Sequence, residues 1–66
     1  MIEITVNGER HAIQLDTTLA SVIAQLAQPD ATVAAVNEVF VPRSRHSEHV
    51  LESGDRVELL APMEGG

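Results

Sequence analysis

Apolar and polar residues alternate over Ile2-Glu3-Ile4-Thr5-Val6, the period of a strand with one buried face. Asn7-Gly8 follows as a turn signal, and His11-Ala12-Ile13-Gln14-Leu15 alternates again, so the two segments predict an antiparallel hairpin. A loop over residues 7–10 would set Ile4 against Ile13 and Ile2 against Leu15, whereas a two-residue turn would set Ile4 against His11. The match of apolar with apolar favours the longer loop. His11 then sits on the inward parity at a strand end, half covered by the loop.

Asp16-Thr17-Thr18 offers capping oxygens for a helix. After it Leu19, Val22, Ile23 and Leu26 fall at i, i+3, i+4 and i+7, one apolar helical stripe, and Pro29-Asp30 ends the pattern. Thr32-Val33-Ala34-Ala35-Val36 reads as a third strand, Asn37-Glu38 as a tight turn and Val39-Phe40-Val41 as a fourth strand, which Pro42 confines to an edge or an end. Residues 43–52 are polar and irregular, with a turn of helix expected after Ser44. Ser53-Gly54-Asp55 is a turn signal, and residues 56–61 form a last strand with Val57, Leu59 and Ala61 on one face. The order strand-strand-helix-strand-strand-strand predicts an α+β fold, a mixed sheet of four to five strands with one helix packed across it.

Sixty-six residues leave room for one domain, taken as residues 1–61 with a flexible tail at 62–66. With no cysteine, neither a disulfide framework nor a thiolate metal site can support it, so stability must come from apolar packing. Ten acidic residues against four arginines give a net charge of −6, which repels nucleic acid and anionic membranes and favours a basic partner. There is no lysine, so a modifier built this way could not form chains on itself. No apolar run approaches the roughly eighteen residues of a membrane span, no targeting leader is read, and a cytoplasmic setting is expected.

The chain closes on Gly65-Gly66, directly after the apolar segment Val57-Glu58-Leu59-Leu60-Ala61. A glycine carboxylate on a short tether is a group that an enzyme can activate. Transfer of AMP to it requires the chain to enter a narrow site beside the phosphates of ATP, and glycine permits that close approach. The acyl-adenylate is then open to a persulfide, thiol or amine, and no acid, base or nucleophile of this chain is needed. Since the chain has no thiol, any sulfur it handles must be held by Gly66.

Val36-Asn37-Glu38-Val39-Phe40-Val41-Pro42-Arg43-Ser44, then Leu51-Glu52-Ser53-Gly54-Asp55-Arg56-Val57-Glu58, and the final Gly65-Gly66 together resemble the ThiS family, ubiquitin-like sulfur carriers of thiamine biosynthesis. The resemblance spans the whole chain. It implies a β-grasp fold, with the first and last strands parallel and adjacent at the centre of the sheet. It also implies adenylation of Gly66 by a ThiF-like adenylyltransferase that uses ATP and magnesium, conversion to a thiocarboxylate with sulfur from a donor system, and delivery to a ThiG-like thiazole synthase. On this reading the protein is a co-substrate and not an enzyme, with no bound cofactor. Gly65, preceded by Met63 and Glu64, would thread the partner's channel; no specific role transfers to Met63 or Glu64. The nearest relative reading is MoaD, the small subunit of molybdopterin synthase, or another ubiquitin-like carrier or modifier. The shortness of the chain and its Val-Pro-Arg-Ser segment favour ThiS.

Other residues have plainer readings. His46 and His49, three apart, lack a third ligand at a known spacing and read as surface histidines rather than a metal site. Ser44, Ser47 and Ser53 read as capping and turn residues, because a triad needs an oriented base and an oxyanion pocket. Arg43 and Arg45 are expected to pair at the surface with Glu38 or Glu48. Leu60, on the opposite parity from Leu59, forms with Phe40 and Arg43 a candidate partner patch. Phe40, the only aromatic residue, carries the competing expectation of a core position.

Overall fold

The alternating segments form strands, and the computed structural model describes residues 1–26 and 33–60. Among these, β1 is Ile2–Val6, β2 Glu9–Ile13, α1 Leu19–Leu26, β3 Val33–Val36, β4 Val39–Val41 and β5 Arg56–Leu60. The sheet runs in the order β2-β1-β5-β3-β4. β1 and β5 are parallel at its centre and the other pairs antiparallel, the β-grasp arrangement. The expected helix end at Pro29-Asp30, Thr32 of the third strand, Ala61 of the last, and the tail at 62–66 lie outside the described residues.

The first hairpin corrects the expected register. Its loop is the two-residue turn Asn7-Gly8, so Val6 faces Glu9, Ile4 faces His11 and Ile2 faces Ile13. Both turn residues have positive φ, 51° and 87°, as a type I′ turn requires to match the twist of its strands. That match outweighs the pairing of Ile4 with Ile13. β2 is an edge strand whose inward residues His11 and Ile13 are only half-buried, so register there carries little burial energy, and Leu15 lies exposed beyond it.

Asn37-Glu38 repeats the turn, with φ of 53° and 71°. Here an L residue, Glu38, occupies the second left-handed position, where its Cβ meets the backbone at a cost of about 1–2 kcal/mol. Replacing Glu38 by glycine is expected to stabilise the fold by about 0.5–1 kcal/mol, net of the extra freedom of the unfolded chain. The replacement also removes an ion pair, Arg56 Nη2 to Glu38 Oε2 at 3.5 Å, but both side chains are largely exposed and the pair contributes little. Thermal denaturation of Glu38→Gly checks this; an unchanged or lower midpoint would mean that the turn carries no such strain.

One side of the sheet is covered. Ile4, Val6, Ala34, Val36, Val41, Val57 and Leu59 pack with Leu19, Val22 and Ile23 of α1, while Leu26, the fourth residue of the predicted stripe, is exposed. Thr18 caps the helix through its Oγ1, which accepts from the Ser21 N–H at 3.2 Å. The two N–H groups before it are satisfied from the segment expected to be irregular. Leu19 donates to the His49 carbonyl at 2.8 Å and Ala20 to that of His46 at 3.0 Å.

That segment begins with a 3-10 turn, Arg43–Arg45, which contains Ser44 instead of following it, and then becomes part of the core. His46 is only 6% exposed, which overturns its reading as a surface histidine. Its Nε2 lies 3.0 Å from the Val41 carbonyl, and since a carbonyl oxygen only accepts, the ring donates. His49 is half-buried. Thr18 and Val50 form an isolated antiparallel bridge, and Leu51 donates to the Thr17 carbonyl at 2.9 Å, which seats the Leu51 side chain in the core.

Candidate functional site

The centre of the sheet hands the chain on through β5, and the candidate site is the end of that strand. β3 flanks it on one side: Val33 pairs with Leu60, Ala34 with Leu59 and Ala35 with Glu58. On the other side the β1 pairing reaches only Val6 opposite Val57. Beyond it the Asn7 backbone N–H donates to the Val57 carbonyl at 2.9 Å, and the Asn7 side chain takes over. Asn7 Oδ1 accepts from the Leu59 N–H at 2.9 Å and Nδ2 donates to the Leu59 carbonyl at 3.2 Å. Asn37 grips the start of the same strand. Its backbone N–H donates to the Arg56 carbonyl at 2.7 Å, its Oδ1 accepts from the Arg56 N–H at 2.9 Å, and its Nδ2 donates to Asp55 Oδ1 at 3.0 Å.

The face of the sheet opposite α1 carries the patch. Strand parity puts Leu60 and Glu58 of β5, Val33 and Ala35 of β3 and Phe40 of β4 on this face, in the rows Leu60–Val33 and Glu58–Ala35–Phe40. Leu60 is 70% exposed, Phe40 61% and Val33 48%. The exposure of Phe40 overturns its expected place in the core; Val41, its neighbour, points inward instead. Contiguous exposed apolar side chains at the mouth of a strand, edged by a carboxylate, are the character of an interaction surface. Arg43 is exposed on the turn after β4 and lies outside these two rows. Glu38 makes its ion pair with Arg56.

Of the residues singled out from the sequence, the structure thus brings Leu60 and Phe40 onto one face. Met63, Glu64, Gly65 and Gly66 lie outside the described residues. Ser44, Ser47 and Ser53 are exposed, in the 3-10 turn, the turn after it and the turn before Gly54. Among the described residues no three His, Cys, Asp or Glu side chains gather as metal ligands, and the His46 ring is engaged by Val41. Nor is any helix there long and apolar enough to cross a membrane. Asn7 and Asn37 were legible only as turn residues; their grip on β5 depends on strands that meet from opposite ends of the sequence.

The ThiS family model matches residues 3–66, from the first strand through Gly65-Gly66. The chain belongs to the ThiS family. A crystal structure of the thiamine biosynthesis protein ThiS from Geobacter metallireducens superposes with a TM-score of 0.83 at 23% identity, covering 98% of this chain and all of that one. A solution NMR structure of a thiamine biosynthesis protein from the same organism gives 0.76 at 25% identity, covering 98% of this chain and 88% of the other. No curated protein matches.

Proposed function

We propose that this ThiS-family chain is a sulfur carrier for the thiazole ring of thiamine, acting through the carboxylate of Gly66 in a cytoplasmic pathway. A ThiF-like adenylyltransferase, with magnesium-ATP, transfers AMP to that carboxylate and releases pyrophosphate. A donor delivering sulfide-level sulfur displaces AMP, the C–S bond forming as the C–O bond to AMP breaks, to give a thiocarboxylate, and a ThiG-like thiazole synthase takes up the sulfur. The chain supplies the reacting carboxyl group and the surface that docks it, and the partner enzymes supply the catalysis. The observation that carries this reading is the family match, which runs unbroken from the folded body through Gly65-Gly66. The central position of β5 supports it, since the strand leading to those glycines is held from both sides. The match to ThiS also favours the thiazole branch over the molybdopterin one.

The test is the intact mass of the protein before and after incubation with the activating enzyme, magnesium-ATP and a sulfur donor. A gain equal to one oxygen exchanged for sulfur is expected. No gain, with an enzyme proven active on its own carrier, would sink the proposal.

Leu60 and Phe40 form the docking patch for the activating enzyme in this reading, beside the route to Gly66. Replacing Leu60 by aspartate is expected to lower kcat/KM for adenylation about tenfold, the effect of losing one apolar anchor. Stability should change by less than about 0.5 kcal/mol, because the side chain is exposed. Equal kcat/KM for Leu60→Asp and the parent chain would remove Leu60 from the interface.

A further inference from the structure

β5 outruns its parallel partner. β1 turns away at Asn7-Gly8, while β5 continues to Leu60, and the Leu59 N–H and carbonyl face the side that β1 has vacated. In a continued parallel ladder these two groups would be met by the next carbonyl and N–H of β1. The Asn7 carboxamide presents one acceptor and one donor in their place, at 2.9 and 3.2 Å. The backbone at Asn7, with φ of 51°, leads the chain back into β2 while its side chain reaches Leu59.

The geometry points to Asn7 as a positioning residue: its carboxamide, in place of the missing continuation of β1, holds the end of β5 and so sets where the chain leaves the sheet towards Gly66. This rests on the carrier reading, in which the activating enzyme must capture that end. The Asn37 clamp serves as an internal comparison. It occupies the same position in the other type I′ turn and grips the same strand, but at Arg56, the end remote from Gly66. Asn7 acts by fixing the base from which the reacting end extends.

Asn7→Gly separates the two duties of the residue, since glycine adopts the positive φ of the turn without strain while removing the carboxamide. Asn7→Asp keeps an acceptor for the Leu59 N–H and loses the donor to its carbonyl. Amide exchange by NMR, on the free protein, is expected to show the Leu59 amide of Asn7→Gly exchanging about ten to thirty times faster relative to that of Val57, with Asn7→Asp between it and the parent. Asn37→Gly should leave that ratio unchanged. With the activating enzyme, Asn7→Gly is expected to raise KM about threefold or more over Asn37→Gly while kcat stays within about twofold, because the loosened end must be ordered on binding.

An unchanged Leu59 ratio in Asn7→Gly, or equal KM for the two glycine variants, would overturn the assignment. A parent chain that is never adenylated would instead overturn the carrier reading. The exchange measurement needs no partner and would still decide whether Asn7 holds the strand end.

Discussion

Deletion of Gly66 is expected to abolish the mass gain while leaving the fold intact. The deleted chain still ends in a glycine carboxylate, that of Gly65, so the chemical group survives and only its reach changes. One residue of extended chain is about 3.5 Å, and a misplacement of even 1 Å at a reacting centre can cost about a hundredfold in rate. A docked body therefore presents the shortened terminus too far from the α-phosphorus of ATP, and no thiocarboxylate should be detected over the time in which the parent converts fully. Among the described residues every member of the hydrophobic core precedes Leu60, so the melting temperature should not move. If the patch at Leu60 and Phe40 carries docking, the deleted chain should also inhibit activation of the parent competitively. Gly65→Ala tests the other glycine: its methyl group narrows the accessible backbone and adds bulk in the channel, and a lower rate with the same final product is expected. Sulfur gain by the Gly66 deletion at the parental rate would show that the reaction does not use this carboxylate.

How much of this was legible before the structure depended on the range of the interaction. Ile2–Val6, the Leu19-Val22-Ile23 stripe and the Asn37-Glu38 turn are written in neighbouring residues, and they stand as expected. The first hairpin departs from the apolar match because turn chemistry outweighs it on an edge strand where pairing buries little. For Phe40, the only aromatic residue, the sequence leaves open a partner patch and a core position. Strand parity places it on the face opposite α1, and the two valines beside it do not reveal which face that is. His46 and Leu51 lie in a stretch with no period, so nothing local distinguished them from the exposed Ser47 and Glu48 between them. They are buried because the loop lies against the start of α1, a contact between segments roughly thirty residues apart. The grip of Asn7 on Leu59 is more remote still and exists only once β1 and β5 are neighbours. The candidate site at Gly65-Gly66 lies outside the described residues and rests on its chemistry and on resemblance, without reference to the fold.

Leu51 is where this loop bears most on stability, and Leu51→Ala is expected to destabilise the protein by about 3 kcal/mol. The side chain is 1% exposed and packs in the same cluster as Leu19, Ile23 and Val57. Truncation removes its burial and leaves a cavity, together worth about 2–5 kcal/mol in cores of this kind. The walls cannot collapse readily into the space. The backbone around it is fixed by the bonds from Leu51 to Thr17 and from Leu19 to His49, which also satisfy the first N–H of α1. A domain of 66 residues has a total stability of only about 3–10 kcal/mol, so this one change consumes a third of it or more and lowers the melting temperature by at least about 12 °C. Val50→Ala is the comparison, since Val50 lies beside Leu51 in the same loop but is half exposed; its loss should stay below about 1 kcal/mol. Urea denaturation of the two variants, with the slope unchanged and the midpoint shifted far more for Leu51→Ala, is the expected result. A loss under about 1 kcal/mol for Leu51→Ala would mean that the loop is not anchored by its leucine. The fold would then rest on the helix-to-sheet contacts alone, and the carbonyls that cap α1 would be held by the backbone of the loop without help from the core.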